Sequence, residues 1–267
     1  MMNTNWLKLS KERKIEILNQ ATELTGLPSI AIEKDWWVSL VLNASFSLSY
    51  SKHIVFKGGT SLSKGWNLID RFSEDVDLAI DRKFFGFEGD ISKTQIKNLR
   101  KLSCEFISTT FLEDLKKTLT EWGAISECRL FAQLVNDSDK DPQVIEIYYN
   151  SVVDKSDYLP QRVLIEVSSR SLMEPTEIIE INSILSDTFS NQSFATVPFP
   201  VATVLPQRTF LEKVFLLHEE FSQNNEKIRI ERLSRHLYDI EKLMDTSHGV
   251  DALKNSKLLL LVLYLNT

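Results

Sequence analysis

The stretch His53–Ile80, HIVFKGGTSLSKGWNLIDRFSEDVDLAI, decides the reading of this chain. His53–Phe56 is a short β-branched and aromatic run, so it predicts a strand, and Lys57-Gly-Gly-Thr60 ends it. Paired glycines let a backbone bend sharply and come close to a ligand, because no Cβ stands in the way. Thr60 or Ser61 then suits a helix N-cap, with Leu62, Trp66 and Ile69 at helical spacing behind it. Gly58 and Gly59 are thereby placed where free N–H groups can meet an anion such as a phosphate. Asp75–Ile80 alternates strictly. Val76, Leu78 and Ile80 fall on one face of a strand, and Asp75, Asp77 and Ala79 on the other.

Two carboxylates this close on one face repel each other, so the pair calls for a cation. Mg²⁺ commonly binds through one or two carboxylates together with substrate phosphates. A phosphate cradle followed by a paired-carboxylate strand is the ground plan of metal-dependent phosphoryl or nucleotidyl transfer. The competing interpretation is a Gly-Gly turn followed by an edge strand with a polar outer face.

Phe56–Leu62 (FKGGTSL) and Arg71–Leu78 (RFSEDVDL) resemble the AbiEii/AbiGii-type toxin nucleotidyltransferases, a branch of the DNA-polymerase-β-like superfamily. Late in the chain, TFLEK at Thr209–Lys213 resembles that family's T-x-x-E-K helix motif. RHLYD at Arg235–Asp239 resembles its R-H/D-x-Y-D motif. The resemblance implies an α/β (α+β) nucleotidyltransferase-fold mixed sheet with flanking helices, followed by a helical C-terminal domain. It implies that Asp75 and Asp77 hold Mg²⁺ or Mn²⁺, with Glu166 as the third metal ligand from a neighbouring strand. The NTP substrate would lie among Lys57, Gly58, Gly59, Thr60, Ser61, Ser73 and Lys213, with Lys213 on the triphosphate and Asp239 as an acid closing the site. The chain departs from the wider superfamily in Gly-Gly-Thr for Gly-Ser and in Glu166 for Asp. The implied role is a toxin of a toxin–antitoxin or abortive-infection system. It would transfer a nucleotide to RNA, the tRNA 3′ end being the target in relatives, with a cognate antitoxin as a further partner.

Composition bounds this reading. The chain has 267 residues, 43% hydrophobic and 25% charged, as in ordinary globular proteins. A net charge of −6 argues against a nucleic-acid binder over its whole surface, so RNA contact needs a local basic patch. Arg229, Arg232, Arg235 and His236, with Lys227, supply one at near-helical spacing. An exposed, salt-bridged helix surface is the alternative, Arg235 and Asp239 being one turn apart. Two cysteines make neither a disulfide framework nor a zinc site, which suits a reducing cytoplasm. Met1–Trp6 lacks a secretory pattern, and the apolar run Leu258–Leu265 is too short for a bilayer, so no membrane partner is expected.

In chain order, helices are expected at about 10–25, with Ile15, Ile17, Leu18 and Ala21 inward, and at 30–45. Of the adjacent Trp36 and Trp37, one is expected in the core and one partly exposed. The Phe-rich segment 81–92 is either a flap over the substrate or a packed loop. A long helix over 94–122 precedes a hairpin at 126–149, whose turn acids Asp137, Asp139 and Asp141 lack the glycine and glutamate of a calcium loop. The strand 161–170 puts Glu166 on its open face, and Arg170 follows as a phosphate contact or an acid's partner. A short helix at 177–189 and extended chain at 190–206 place a domain boundary at 195/196, giving domains 1–195 and 196–267. Two rivals remain: a small-molecule nucleotidyltransferase of the aminoglycoside-modifying kind, and a non-catalytic NTP-binding interaction module. The basic late helices disfavour the first and the intact Asp-x-Asp the second.

Overall fold

A computed structural model describes residues 2–133, 141–156, 159–169, 175–223 and 233–266. Among these residues seven strands form one mixed sheet: β1 (Ile54–Lys57), β2 (Val76–Ile80), β3 (Cys128–Ala132), β4 (Gln143–Tyr149), β5 (Arg162–Ser168), β6 (Thr176–Ile181) and β7 (Phe199–Val204). Their order is β3-β4-β5-β2-β1-β7-β6. The β2–β5 and β1–β7 pairs are parallel and the rest antiparallel.

The predicted alternation sets which face is dry. Val76, Leu78 and Ile80 of β2 and Val163, Ile165 and Val167 of β5 all enter the main core. Over that face lie α1 (Lys11–Thr25), capped by Ser10 and ended by left-handed Gly26, and α2 (Ser29–Phe46). Helix α2 is buried nearly all round, as a helix apolar on every side must be. Trp36 and Trp37 are therefore both core residues at 1% exposure, contrary to the expectation of one exposed ring. Trp37 stacks on Tyr149 at 5.0 Å, and Trp36 meets Trp6 at 6.3 Å. On α1, Ile15 is exposed instead of inward, while neighbouring Lys14 is tucked in with its ammonium on the Leu7 carbonyl at 3.1 Å.

Elsewhere the chain follows its pattern with local changes. Helix α4 (Lys93–Phe106) runs through a π-helical turn at Ile107–Phe111 into α5 (Leu112–Glu121), making one long helical segment. In the 81–92 segment, Phe84 and Phe85 pack on Phe106, and Phe84 also packs on Tyr50, so it is a packed loop. The helix expected at 177–189 is instead strand β6 followed by the short helix α6 (Ile184–Thr188). The run Thr-Glu-Ile-Ile-Glu-Ile is rich in β-branched residues, and pairing with β7 satisfies its backbone. The boundary expected at 195/196 falls before β7, a strand of the sheet beside β1, so helices alone begin only at Pro206.

Those helices are α7 (Pro206–Phe221), α8 (Leu233–Met244), α9 (Ser247–Lys254) and α10 (Ser256–Asn266). A second core joins them to the segment after β1: Leu62 and Ile69 pack with Phe210, Leu211, Leu243, Leu258 and Val262. The terminal apolar run is thus a helix docked on α7. No described helix is long and apolar enough to cross a membrane.

Candidate active site

The site forms where the two cores meet. After β1 the chain turns at Gly58, whose φ of +76° favours glycine, into α3 (Gly58–Thr60) and a π-helical turn at Ser61–Gly65. The helix therefore starts at Gly58, ahead of the expected N-cap. Asp77 is opposite Lys57 on the neighbouring strand. A Cβ built on Gly58 would lie 2.0 Å from Asp77 Oδ2, so the turn and the carboxylate share one space. One built on Gly59 would be 2.6 Å from the Arg71 guanidinium and 3.1 Å from Ser73 Oγ. Gly58→Ala is accordingly expected to lose transfer activity along with more than about 1 kcal/mol of stability, since alanine is strained at that φ and pushes Asp77 aside. Melting curves and transfer assays check this.

A cleft of about 350 Å³ lies between this turn and helices α7 and α8. On the sheet side it is lined by Lys57, Gly58, Gly59, Arg71, Ser73, Asp75, Asp77 and Glu166. Glu166 on β5 is in register with Asp77 on β2, so the two carboxylates are side by side across one pair of strands. Opposite them are Thr209, Glu212, Lys213 and Leu216 of α7, and Arg235 and His236 of α8. The whole T-x-x-E-K motif thus faces the Asp-x-Asp strand.

Other expected site residues stand behind the wall. Thr60 is buried, its hydroxyl hydrogen-bonding Ser73 Oγ at 2.8 Å and the Asp75 carbonyl at 2.5 Å. Ser61 is fully buried and donates to the Gly58 carbonyl at 2.9 Å. Both residues brace the turn and the Asp75 backbone, and neither lines the cleft where contact with nucleotide is expected. Asp239 is also fully buried. It receives two hydrogen bonds of 2.7 Å from Arg71 and an ion pair of 2.9 Å from Lys213. It therefore joins α7, α8 and the loop before β2, rather than standing free in the cleft or pairing with Arg235. Of the expected RNA-binding residues, Arg235 and His236 line the cleft. Arg229 and Arg232 lie outside the described residues, as do Lys227, Arg170, Asp137 and Asp139.

The charges are sharply divided. Burial, then the nearby Glu166 carboxylate, pushes the Asp77 pKa up to about 7, with Lys57 pulling the other way. Burial also acts to raise Asp239, but the Arg71 hydrogen bonds and the Lys213 charge outweigh it and hold the carboxyl below its ordinary range. Glu212 is held low in the same way, Lys57 and Arg208 overcoming its burial. His236 drops to about 4 through burial and the Lys213 ammonium, whose Nζ is 3.3 Å from Nδ1. It is uncharged at neutral pH and so adds no cation to the basic stripe expected on α8.

The donor set suits a divalent cation. Carboxylates of Asp75, Asp77 and Glu166 share one cleft wall, and Asp77 resists ionisation without a counter-charge. Among the described residues no three acidic, histidine or cysteine side chains come together as a group that could hold a metal ion. Mg²⁺ in general needs only one or two carboxylates from a protein, since water and substrate phosphates complete its shell. Arg71, Thr209 and Glu212 line the cleft in addition to the residues expected from the sequence. All three nevertheless lie inside the motifs that carry the resemblance.

The family model for "Nucleotidyl transferase AbiEii toxin, Type IV TA system" matches residues 41–264. The chain belongs to the AbiEii family. No curated protein sequence matches it. Among solved structures, it is similar to MenT4, a nucleotidyltransferase toxin from Mycobacterium tuberculosis H37Rv. That pair shares 13% identity over 96% of this chain and 99% of the other, with a TM-score of 0.43. The AbiEii match runs from within α2 into α10 and takes in all four motifs. The protein is thus an AbiEii-type nucleotidyltransferase toxin. AbiEii membership implies an NTP substrate and a type IV system with a cognate antitoxin.

Proposed function

We propose that this AbiEii enzyme transfers a nucleoside monophosphate from an NTP to the 3′ end of an RNA, with tRNA as the acceptor. Mg²⁺ or Mn²⁺ would be held by Asp75, Asp77 and Glu166. The observation that carries this reading is the in-register Asp77–Glu166 pair facing Lys213 across one cleft. A divalent ion bound there would neutralise the triphosphate and polarise the reacting phosphorus.

The acceptor hydroxyl oxygen bonds to the α-phosphorus, the bridge to the β-phosphate breaks, pyrophosphate leaves, and the hydroxyl proton passes to solvent water. Lys213 and Arg71, both anchored on Asp239, set positive charge where the leaving phosphates gather. Asp239 acts as their positioning residue. Gly59 keeps the wall thin beside Arg71 and Ser73, so backbone N–H groups and the Ser73 hydroxyl can reach phosphate oxygens. His236, with a pKa of about 4 and bonded to Lys213, is a weak base and leaves that charge undiminished. Catalysis then rests on positioning and charge.

The test is incubation with each of four labelled NTPs, Mg²⁺ and tRNA. Label from one preferred NTP is expected at the RNA 3′ end, and the yield should fall as salt rises. Label confined to a small molecule or to protein, with tRNA unmodified, would overturn the acceptor assignment.

A further inference from the structure

A second cavity, of about 250 Å³, adjoins the transfer cleft and shares Arg71 and Ser73 with it. Its remaining walls come from side chains that the chemistry above leaves unused. They include Asn67, Asp70 and Phe72 on the segment before β2, and Asn182, Ile184 and Asp187 around α6. Phe72 is half-buried on this wall and, among the described residues, belongs to neither large apolar cluster, although Ile69 and Ile184 on the same wall each pack on one. An aromatic ring left out of both cores at a cavity wall offers a face on which a base can stack.

The polar groups narrow the ligand. Both cations are committed to carboxylates: Lys64 to Asp35 at 2.6 Å and Arg71 to Asp239 at 2.7 Å. Asp187 is exposed and accepts from Asn182 Nδ2 at 2.8 Å, while Asp70 is exposed with Lys242 at 3.9 Å. The surplus is acidic. It disfavours a triphosphate and suits groups that donate, namely ribose hydroxyls and exocyclic amines, because ionised carboxylates only accept.

We infer that this cavity seats an unpaired terminal nucleotide of the RNA acceptor. Phe72 stacks on its base and Asp187 takes a hydrogen bond from an exocyclic amine, so adenine and cytosine are preferred to uracil. The inference rests on the nucleotidyl-transfer reading, since the wall shared through Arg71 and Ser73 puts a nucleotide held there beside the NTP.

The test measures binding without requiring turnover. Short single-stranded RNAs ending in A, C or U, labelled at the 5′ end, are titrated at fixed salt into wild type, Phe72→Ala, Phe72→Tyr and Asp187→Ala, with NTP affinity measured in parallel. Phe72→Ala should weaken binding of the A- and C-ended RNAs about tenfold. Phe72→Tyr should retain binding, Asp187→Ala should narrow the preference over U, and NTP affinity should stay unchanged throughout. Loss of NTP affinity in Phe72→Ala would place the NTP's own base in the cavity and overturn the inference. Equal RNA binding by wild type and Phe72→Ala, including no binding by either, would also overturn it. Phe72-dependent RNA binding without any transfer would uphold this pocket and reject the proposed reaction instead.

Discussion

Asp77→Ala loses transfer by on the order of a thousandfold or more, with the fold intact, when activity is measured beside a melting curve. The carboxylate is at the centre of the site, backed by Gly58 and paired in register with Glu166. Burial and that neighbour raise its pKa to about 7, so its ionised form costs folding stability. The cost is absent below the unfolded value of about 4, grows as pH rises, and is complete only above about 7. Without divalent ions the variant should therefore melt at or above wild type at about pH 8, and the difference should close towards pH 4. Added Mg²⁺ should raise the melting temperature of wild type and not of the variant, because only a bound ligand shifts the equilibrium. Expression of wild type should slow growth and expression of Asp77→Ala should not. Full activity in the variant, with chelators equally without effect, would contradict a carboxylate-bound metal.

Lys213→Ala weakens NTP binding by about ten- to a hundredfold, the scale of a lost hydrogen bond to a charged group. The ammonium is the one α7 cation among the described cleft-lining residues, and Asp239 holds it towards the cleft. Lys213→Arg should recover only part of the affinity, because a planar guanidinium does not replace a compact point charge at the same place. The substitution to alanine also removes one of the two leading causes of the depressed His236 pKa, burial being the larger. The imidazole should titrate above about 4 in the variant, which NMR can follow. Calorimetry showing wild-type NTP affinity in both variants would make Lys213 a structural residue only.

The strand that carries Asp77 was legible because a strand has period two. Alternation in Asp75–Ile80 and in the strand containing Glu166 fixed which side chains leave the core, and parallel pairing then brought Asp77 and Glu166 together. Local patterns could not reach Arg71 and Asp239, which are 168 residues apart and meet only because α8 packs beside the loop before β2. The same limit hid the inward turn of Thr60 and Ser61: small hydroxyl side chains brace a backbone as readily as they bind a ligand. At 177–181 the isoleucine spacing fits a helix as well as a strand, and only the partner β7 decides between them. A helix with a single core face turns one of two adjacent tryptophans outward, which is not the case for α2. Layers packed on several sides bury both rings.

The claim that this cleft moves a nucleotide, and not a phosphoryl group, is tested most directly by supplying one NTP labelled at the α-phosphate in one reaction and at the γ-phosphate in another, with Mg²⁺ and tRNA. Transfer with pyrophosphate release puts the α-label on RNA and leaves the γ-label in pyrophosphate. Label on RNA from the γ-position would contradict the account, and RNA left unlabelled from both positions by each of the four NTPs in turn would contradict its choice of acceptor.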